Sequence, residues 1–460
     1  MSGAISARRV AYETLRAVHD ADAYANLVLP TAIARARLSP GDAALATELT
    51  YGTLRQQGTW DAVIGVAAKR PADTLDPPVR DILRLGVHQL LATRVPPHAA
   101  VNESVALTRD SVGERAVGFV NAVLRTIGTA DPATWVSRAE EAARSDDERL
   151  SVRTSHPVWV IRALRRALDD EGRASELADL LAADNDPPRV TMTALPGLAT
   201  IPEESDQTSF SPYGFRAPAG DPGRLVAASH GALRVQDEGS QLAALALSEV
   251  APVRSGERWL DLCAAPGGKT ALLAARVFQA REAGTAVELE ANEVSPTRAG
   301  LVRRSLEPIP FEVPVSEQDG RERAGAAAYD RILVDAPCTG LGALRRRPES
   351  RWRKSPQDVA PLAQLQRELL SAAVAGLRPG GVVAYVTCSP HLVETRDVAA
   401  EVTDHYGNGL RELDARDVLR RVSRAPLDLA TPNSGAGRAQ LWPHRHGTDA
   451  MSITLLQRAQ

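Results

Sequence analysis

The 460-residue sequence contains few cysteines, few lysines and few aromatic residues. Its three cysteines, Cys263, Cys338 and Cys388, cannot all pair and show no CxxC spacing, which argues against a disulfide framework and against a zinc site. No run approaches the roughly 18 uncharged apolar residues that a membrane-spanning helix needs. We therefore expect free thiols, no bound metal, no membrane span, and a cytoplasmic protein without a signal peptide.

The formal net charge of −3 gives no overall excess of positive charge. One segment departs from this balance, because residues 345–354 contain six cationic residues and one acidic residue, with Trp352 among them. Arginines that bind phosphates, and an aromatic ring that stacks on an unpaired base, are typical of RNA-binding surfaces. A solvated charged face, or packing of Trp352 under the arginine stems, is the alternative. The predicted RNA contacts are Arg345, Arg346, Arg347, Arg351, Trp352 and Arg353.

The pattern divides the chain into three parts. Residues 1–130 are predicted to be helical, because apolar positions such as Val79 and Ile82 recur at helical spacing. Residues 131–231 continue with charged helical stretches and then a segment rich in Pro, Gly and Ser, typical of a linker or a small mixed subdomain. Residues 232–460 alternate short apolar strands with helices. The prediction is an all-α domain followed by an α/β domain on a mostly parallel sheet.

Ligands of such sheets bind outside the carboxyl ends of the strands. Asp261 ends a predicted strand, and Gly267 and Gly268 then allow close backbone approach before a helix whose first amides suit an anionic group. The turn is not a phosphate-binding P-loop, because Cys263 stands where that motif has its first glycine. An ordinary strand-to-helix turn is the alternative. Lys269 opposes the helix dipole, which indicates an anionic neighbour or a catalytic task.

Three carboxylates follow neighbouring predicted strands. Glu293 ends the second apolar strand, where an acid accepts the hydroxyl groups of a ribose. Asp319 lies in a Gln-Asp-Gly turn placed for an adenine amino group, and Asp335 ends the next strand. Together they suit a ribose, an adenine and a cationic sulfonium, with no pyrophosphate to repel. The set indicates S-adenosyl-L-methionine as the cofactor, although each acid alone is more often a capping or surface residue.

Two cysteines follow predicted strands at this same edge. Cys338 ends an Asp-Ala-Pro-Cys motif and Cys388 is the centre of Thr-Cys-Ser. Free cysteines are usually buried apolar residues, but two thiols at successive strand ends beside a cofactor turn indicate nucleophilic chemistry. Cys263 is interpreted as a packing residue or a cofactor contact. The residues alone leave open whether Cys338 or Cys388 is the nucleophile.

The motifs DLCAAPGGKT at 261–270, DAPC at 335–338 and TCS at 387–389 resemble, in this order, the Sun family of RNA cytosine-C5 methyltransferases. Segments within residues 1–130, such as 48–55 and 118–125, resemble the NusB-like RNA-binding domain of the family's bacterial small-subunit rRNA branch. The resemblance covers most of the chain. It implies a Rossmann-like catalytic domain with a seven-stranded sheet, and 16S rRNA as the substrate.

The resemblance also implies roles for individual residues. Cys388 would add to carbon 6 of the cytosine, which activates the weakly nucleophilic carbon 5. Cys338 would assist release of the product, and Asp335 would contact the base and help to activate it. In DNA cytosine methyltransferases the Pro-Cys thiol is the nucleophile instead. The implied cofactor contacts are Cys263, Ala264, Ala265, Pro266, Gly267, Gly268, Lys269, Glu293, Asp319 and Asp335.

Two features depart from the family's pattern. Asp261 and Glu293 are separated by more than the roughly 20 residues usual before a ribose-binding acid, which predicts a longer helix or loop between them. Asp449 and Met451 lie where a glycine and an aromatic pair are usual, which leaves open how the substrate base is covered. Transfer RNA as the substrate, and a non-catalytic RNA-binding or ribosome-assembly factor, are the alternative functions. The two intact motif cysteines argue against the latter.

Overall fold

The computed structural model describes residues 5–218, 220–325 and 327–460. Helices occur along the whole chain, whereas strands begin only after residue 190, and this confirms the predicted fold class. The helices are α1 (Ala7–Asp20), α2 (Ala25–Ala36), α3 (Pro40–Arg55), α4 (Gln57–Ala68), α5 (Pro77–Ala92), α6 (Pro97–Ser111), α7 (Glu114–Ile127), α8 (Pro132–Glu140), α9 (Asp146–Thr154), α10 (Val158–Asp169), α11 (Leu177–Ala183), α12 (Pro222–Ala228), α13 (Glu238–Ser248), α14 (Gly268–Glu282), α15 (Pro296–Leu306), α16 (Gly320–Arg323), α17 (Ser350–Arg353), α18 (Val359–Gly376), α19 (Arg396–Tyr406), α20 (Ala415–Val422) and α21 (Pro443–His446). The strands are β1 (Thr191–Ala194), β2 (Gly214–Arg216), β3 (Leu233–Val235), β4 (Glu257–Asp261), β5 (Val287–Asn292), β6 (Val315–Ser316), β7 (Tyr329–Asp335), β8 (Leu377–Thr387), β9 (Leu410–Leu413), β10 (Ala439–Gln440) and β11 (Ser452–Arg458).

The chain forms two compact units. The helical unit contains the residues up to Arg162 together with Leu181–Asp186 and Leu344–Lys354. The sheet unit contains Ala163–Leu180, Pro187–Ala343 and Ser355–Gln460. The arginine-rich segment thus belongs to the helical unit, although the division by sequence pattern assigned it to residues 232–460.

The helical unit is built from amphipathic helices around an apolar core. In α1 the buried residues Leu15 and Val18 recur at helical spacing, and Ser6 caps the helix by accepting a hydrogen bond from the amide of Arg9. Asp81 of α5 is fully buried and accepts from Arg16 and Arg84, at 2.7 and 3.0 Å. This network keeps a charge inside the unit without an unpaired donor or acceptor. None of the helices in the described ranges has the length and apolar character needed to span a membrane.

The large sheet of the sheet unit has the strand order β10-β11-β8-β7-β4-β5-β6, with β9 also paired to β11. The strands from β4 to β8 are mutually parallel, and β11 is antiparallel to β8. Neighbouring residues of β4, Trp259 and Leu260, are buried in different apolar clusters, so both faces of the sheet are covered. In the described residues the large sheet has eight strands rather than the implied seven, because the short strands β9 and β10 both pair with β11. Strand β11 therefore has a paired strand on each side.

The region that sequence pattern assigned to a linker or small subdomain is more regular than expected. Strands β1, β2 and β3 form an antiparallel sheet in the order β2-β1-β3. Met192, Phe215 and Leu233, one from each strand, bury their side chains together. Short strands separated by long Pro- and Gly-rich connections carry little alternation, so the pattern did not reveal this small sheet.

Candidate active site

The predicted site residues gather at one edge of the large sheet. Because β4, β5, β7 and β8 are parallel, their carboxyl ends, at Asp261, Asn292, Asp335 and Thr387, lie on the same edge. The glycine turn follows β4, and the two motif cysteines follow β7 and β8. This is the edge at which open α/β sheets bind their ligands.

The glycine turn requires its glycine. Gly267 has a φ of 103°, a left-handed conformation that side chains rarely adopt, and a Cβ at this position would lie 2.5 Å from the Cβ of Ser305. Immediately after it α14 begins, and Thr270 in its first turn donates a 2.7 Å hydrogen bond to Asp261 at the end of β4. Helix α14 continues to Glu282. Its 15 residues account for most of the long separation between β4 and β5.

Lys269, which opposes the dipole of α14, has the anionic neighbour that its position indicated. Its Nζ donates a 2.7 Å hydrogen bond to Asp335 at the end of β7. Burial alone would lower the pKa of Lys269, but the Asp335 carboxylate outweighs it and raises that pKa. Burial, aided by the charge of Asp335, raises the pKa of Asp261 to about 7, although the Thr270 hydrogen bond opposes this. The lysine therefore remains a cation beside Asp335.

The two motif thiols face each other. The Sγ atoms of Cys338 and Cys388 are 3.5 Å apart, and both side chains are partly buried. The hydrogen bond from Cys338 lowers the pKa of Cys388, and the Lys269 cation adds to this, against the effects of burial and Asp335. The same hydrogen bond, together with burial, raises the pKa of Cys338 well above its ordinary value. Of the two thiols, Cys388 is therefore the more acidic.

Cys263 differs from the other two cysteines. Burial strongly raises the pKa of its thiol, and the negative charge of Asp261 acts in the same direction. The side chain packs against the apolar cluster that contains Leu260 and Leu262. A neutral, packed thiol is a poor nucleophile, which agrees with its interpretation as a packing or contact residue.

The remaining acids of the edge are held by their own partners. Glu293 is 3% exposed, accepts from the amide of Ser295 at 3.1 Å and lies 3.6 Å from the guanidinium of Arg298. Asp319 caps α16 and accepts from Arg321, whose side-chain hydrogen bonds lower the pKa of Asp319 to about 2. Asp319 is therefore an ionised acceptor at neutral pH.

Asn292 is a site residue that sequence reasoning missed. Its amide nitrogen donates to the carbonyl oxygens of Leu262 and Gln318, and its oxygen accepts from the amide of Gln318 at 3.1 Å. The side chain ties the end of β4 to the residue before Asp319. A single asparagine at a strand end carries no local signal for this bridging role.

Glu394 is the second residue that was missed. It is 0% exposed and accepts from the amide of Thr339 at 2.7 Å, from the hydroxyl of Ser389 at 2.7 Å, and from the hydroxyl of Thr339. Thr339 directly follows Cys338, and Ser389 directly follows Cys388. One buried carboxylate therefore holds the two backbone segments that carry the thiols.

The structure corrects the role predicted for Arg351. Its side chain is 0% exposed, and burial lowers its pKa to about 10. The guanidinium donates to the backbone oxygens of Arg55, Ser155 and Asp184, at 3.0, 3.1 and 2.7 Å, and to the side-chain oxygen of Asn185 at 2.7 Å. All its partners belong to the helical unit. Arg351 therefore joins separate segments of that unit and is not accessible to RNA.

The other members of the segment differ in accessibility. Arg345 is buried, and Arg353 is partly buried and donates to the carbonyl oxygens of Val18 and Ala23. Arg347 is exposed and lies over the ring of Tyr24. Trp352, 37% exposed, packs on Gly58, where an added Cβ would lie 2.5 Å from its ring. The segment thus has a buried side that anchors it and an exposed side that includes Arg347.

This division predicts that substitutions of two arginines in the segment change the free energy of unfolding by very different amounts. Arg351→Leu should lower the free energy of unfolding by about 3 kcal/mol or more, because it leaves buried carbonyl groups without a donor. Arg347→Leu, the matched control in the same segment, should change it by less than about 0.5 kcal/mol. Urea denaturation of the full chain measures both. Equal stabilities of the two variants would contradict the anchoring role of Arg351.

The fold and this edge define a Rossmann-like methyltransferase with a helical N-terminal unit. Over its full length the chain has the fold of the crystal structure of PH0851, with a TM-score of 0.80 at 22% identity and coverage of 100% of both chains. In the described ranges no group of His, Cys, Asp or Glu side chains is arranged to hold a metal ion.

Sequence comparison identifies the family. The NusB family model matches residues 5–129, and the model described as 16S rRNA methyltransferase RsmB/F matches residues 249–457. The ribosomal RNA small subunit methyltransferase B of Pseudomonas syringae pv. tomato is 33% identical over 451 residues, which cover 95% of this chain and 94% of that protein. The protein Rv1407 of Mycobacterium tuberculosis, provisionally named a methyltransferase, is 48% identical over 459 residues, covering 98% and 96%. The chain belongs to the RsmB/F family of 16S rRNA methyltransferases, and the resemblance inferred from the motifs is confirmed.

Proposed function

We propose that this methyltransferase transfers a methyl group from S-adenosyl-L-methionine to carbon 5 of a cytosine in 16S rRNA, through a covalent bond between Cys388 and carbon 6. The observation that carries the proposal is the thiol pair, whose Sγ atoms lie 3.5 Å apart and whose hydrogen bond lowers the pKa of Cys388 and raises the pKa of Cys338. Methylation of an amino group needs no thiol, whereas carbon 5 of cytosine requires one. The family assignment supports the RNA substrate.

The residues at the edge fit the cofactor. A buried carboxylate at Glu293 suits the ribose hydroxyls, and the ionised Asp319 suits the adenine amino group. Gly267 and Gly268 keep side chains away from the backbone of the turn, so residues 263–269 can line the cofactor closely. When bound, S-adenosyl-L-methionine supplies the methyl group on a cationic sulfonium. Asp335, at the same edge, is the acidic residue that would favour binding of that cation.

The chain's own residues account for the remaining chemistry. The Cys388 thiolate adds to carbon 6 of the cytosine, and the displaced electron pair makes carbon 5 nucleophilic. Asp335, held in place by Lys269, contacts the base. After methylation, a water molecule accepts the proton on carbon 5, the electron pair of the broken C–H bond restores the C5–C6 double bond, and the bond to Cys388 breaks. Cys338, whose Sγ lies 3.5 Å from that of Cys388, donates a hydrogen bond to the departing thiolate.

The RNA must also bind outside the reaction site. We propose that the exposed side of the arginine-rich segment contributes, with Arg347 for phosphates and Trp352 for stacking. Arg345, Arg346 and Arg353 add positive charge to the same segment. Arg351 is excluded, because its guanidinium is already bound to four oxygen atoms.

Bisulfite sequencing of total RNA from cells with and without the gene tests the proposal. Loss of one protected cytosine in 16S rRNA is the expected result, because 5-methylcytosine resists deamination. Loss of a protected cytosine in a transfer RNA would support the proposed chemistry but contradict 16S rRNA as the substrate. No loss anywhere would favour a non-catalytic RNA-binding or assembly factor.

Glu394→Gln is expected to lower the methylation rate about 10²-fold, with cofactor affinity unchanged. A glutamine amide has one acceptor oxygen, so its NH₂ group would face the donors of Thr339 or Ser389 and shift the segments that carry both thiols. Single-turnover kinetics and a cofactor-binding titration measure the two quantities.

Glu401→Gln is the matched control for this change. Glu401 lies on α19, is exposed, and makes one ion pair with Arg367 at 3.2 Å, so its replacement should leave the rate within a factor of about two. If Glu394→Gln were as active as Glu401→Gln, the buried carboxylate would not position the thiols.

A further inference from the structure

A groove in the sheet unit carries positive charge that the reaction described above does not use. It has a volume of about 640 Å³ and is lined by residues of α12, β3 and α15 and by Pro266 of the glycine turn. Its basic residues are Arg234, Arg304 and His230, and its acidic residue is Glu307. We call this site the arginine groove.

Arg234 of β3 lacks a counter-ion in the described part of the chain. Its Nη1 donates a 2.9 Å hydrogen bond to the carbonyl oxygen of Ser305, and no carboxylate among the described residues lies within 4 Å of its guanidinium. Burial alone lowers the pKa of Arg234 to about 10, and no neighbouring anion opposes this. Arg234 is partly buried, and a partly buried cation without an anion is unfavourable for the folded protein. Such a residue points to an anionic ligand that is absent from the free chain.

The groove adjoins the cofactor turn. Ser305, whose carbonyl oxygen binds Arg234, donates from its hydroxyl to the carbonyl oxygen of Pro266 at 2.9 Å, and its Cβ packs against Gly267. An anion bound by Arg234 would therefore lie beside the turn that follows β4. Arg304 and His230 are exposed at the same groove, so an extended ligand can reach Arg234 from solvent.

We propose that the arginine groove binds a backbone phosphate of the RNA substrate, beside the nucleotide that is methylated. A guanidinium matches the geometry of a phosphate and forms two parallel hydrogen bonds with it. The assignment to RNA rests on the proposed function, because an RNA methyltransferase must hold a polyanion next to its reaction site. The phosphate supplies the counter-ion that Arg234 lacks.

The experiment compares Arg234→Gln and Arg304→Gln with Arg303→Gln. Arg303 is the neighbouring arginine on α15, but it pairs with Glu317 at 2.6 Å and does not line the groove. Binding to transcribed 16S rRNA is measured without cofactor over a range of salt concentrations. Each groove variant should bind about tenfold more weakly and lower the salt-dependence slope by about 1, whereas Arg303→Gln should match the parent.

Thermal unfolding separates binding from structure. The uncompensated charge of Arg234 destabilises the folded protein. Arg234→Gln removes this charge, so the variant should unfold at the same temperature as the parent or at a higher one. A lower melting temperature for Arg234→Gln, combined with unchanged RNA binding by Arg304→Gln, would identify Arg234 as structural and overturn the proposal. Unchanged RNA binding by both groove variants would also overturn it.

Inorganic phosphate distinguishes RNA from a free anion. If 10 mM phosphate, on the order of a weak site's affinity, stabilised the parent but not Arg234→Gln while RNA binding stayed equal in both, the groove would bind free anions and the RNA assignment would fail. The binding assay involves no methyl transfer. Loss of RNA binding in the groove variants would therefore support the phosphate site by itself. If the parent protein did not methylate carbon 5, the proposed function would fail but this inference would stand.

Discussion

Replacing Cys388 with alanine or serine is expected to lower methylation of 16S rRNA by a factor on the order of 10⁴ or more, with cofactor binding unchanged. In the proposed mechanism the thiol of Cys388 adds to carbon 6, and its hydrogen bond with Cys338 lowers the pKa of Cys388. Serine retains the size of the side chain but not a group that ionises at neutral pH. Transfer of a labelled methyl group and calorimetric titration with the cofactor measure the two effects.

Two outcomes would contradict the role of Cys388. Substantial methylation by Cys388→Ser would show that a thiolate at this position is unnecessary. Loss of activity together with loss of cofactor binding would indicate that the substitution disturbs the sheet edge rather than the chemistry. Cys338→Ser is the matched control for Cys388→Ser. It keeps the Cys388 thiol, so the protein should still form a covalent bond to the RNA.

The parts of the site that lie within continuous motifs were predictable from sequence. Lys269 directly follows a glycine pair and opposes a helix dipole, which predicts an anionic neighbour. Asp335 is that neighbour, because it accepts a hydrogen bond from Lys269. Cys338 and Cys388 each follow a predicted strand, and parallel strands bring such positions to one edge. The sequence left the choice between the thiols open, because that choice depends on a hydrogen bond between residues 50 positions apart.

Residues whose roles arise from tertiary contacts could not be predicted in this way. Glu394 is a lone acid in a polar turn, and its importance comes from donors that follow two different strands. Arg351 lies in a run of charges that resembles an exposed surface, yet its partners come from three segments distant in sequence, near residues 55, 155 and 184. No local pattern distinguishes an arginine that binds carbonyl groups inside a protein from one that binds phosphate.

Cys338→Ala is expected to stop the reaction after methyl transfer and to accumulate a covalent protein–RNA adduct. In the proposed mechanism, breaking the bond between Cys388 and carbon 6 regenerates a thiolate, and Cys338, whose Sγ lies 3.5 Å away, donates a hydrogen bond to it. Without that donor the pKa of Cys388 rises, and a thiol of higher pKa leaves more slowly. Addition should still occur, because the Lys269 cation continues to favour the thiolate. Denaturing gel electrophoresis with labelled 16S rRNA detects the adduct.

The double variant Cys338→Ala/Cys388→Ala is the decisive control, since it retains the fold but cannot form the bond to carbon 6. An adduct in the single variant and none in the double variant would assign the covalent bond to Cys388 and its release to Cys338. A fully active Cys338→Ala without any adduct would mean that another group stabilises the departing thiolate. Glu394 cannot take over this role directly, because both of its carboxyl oxygens already accept hydrogen bonds from Thr339 and Ser389.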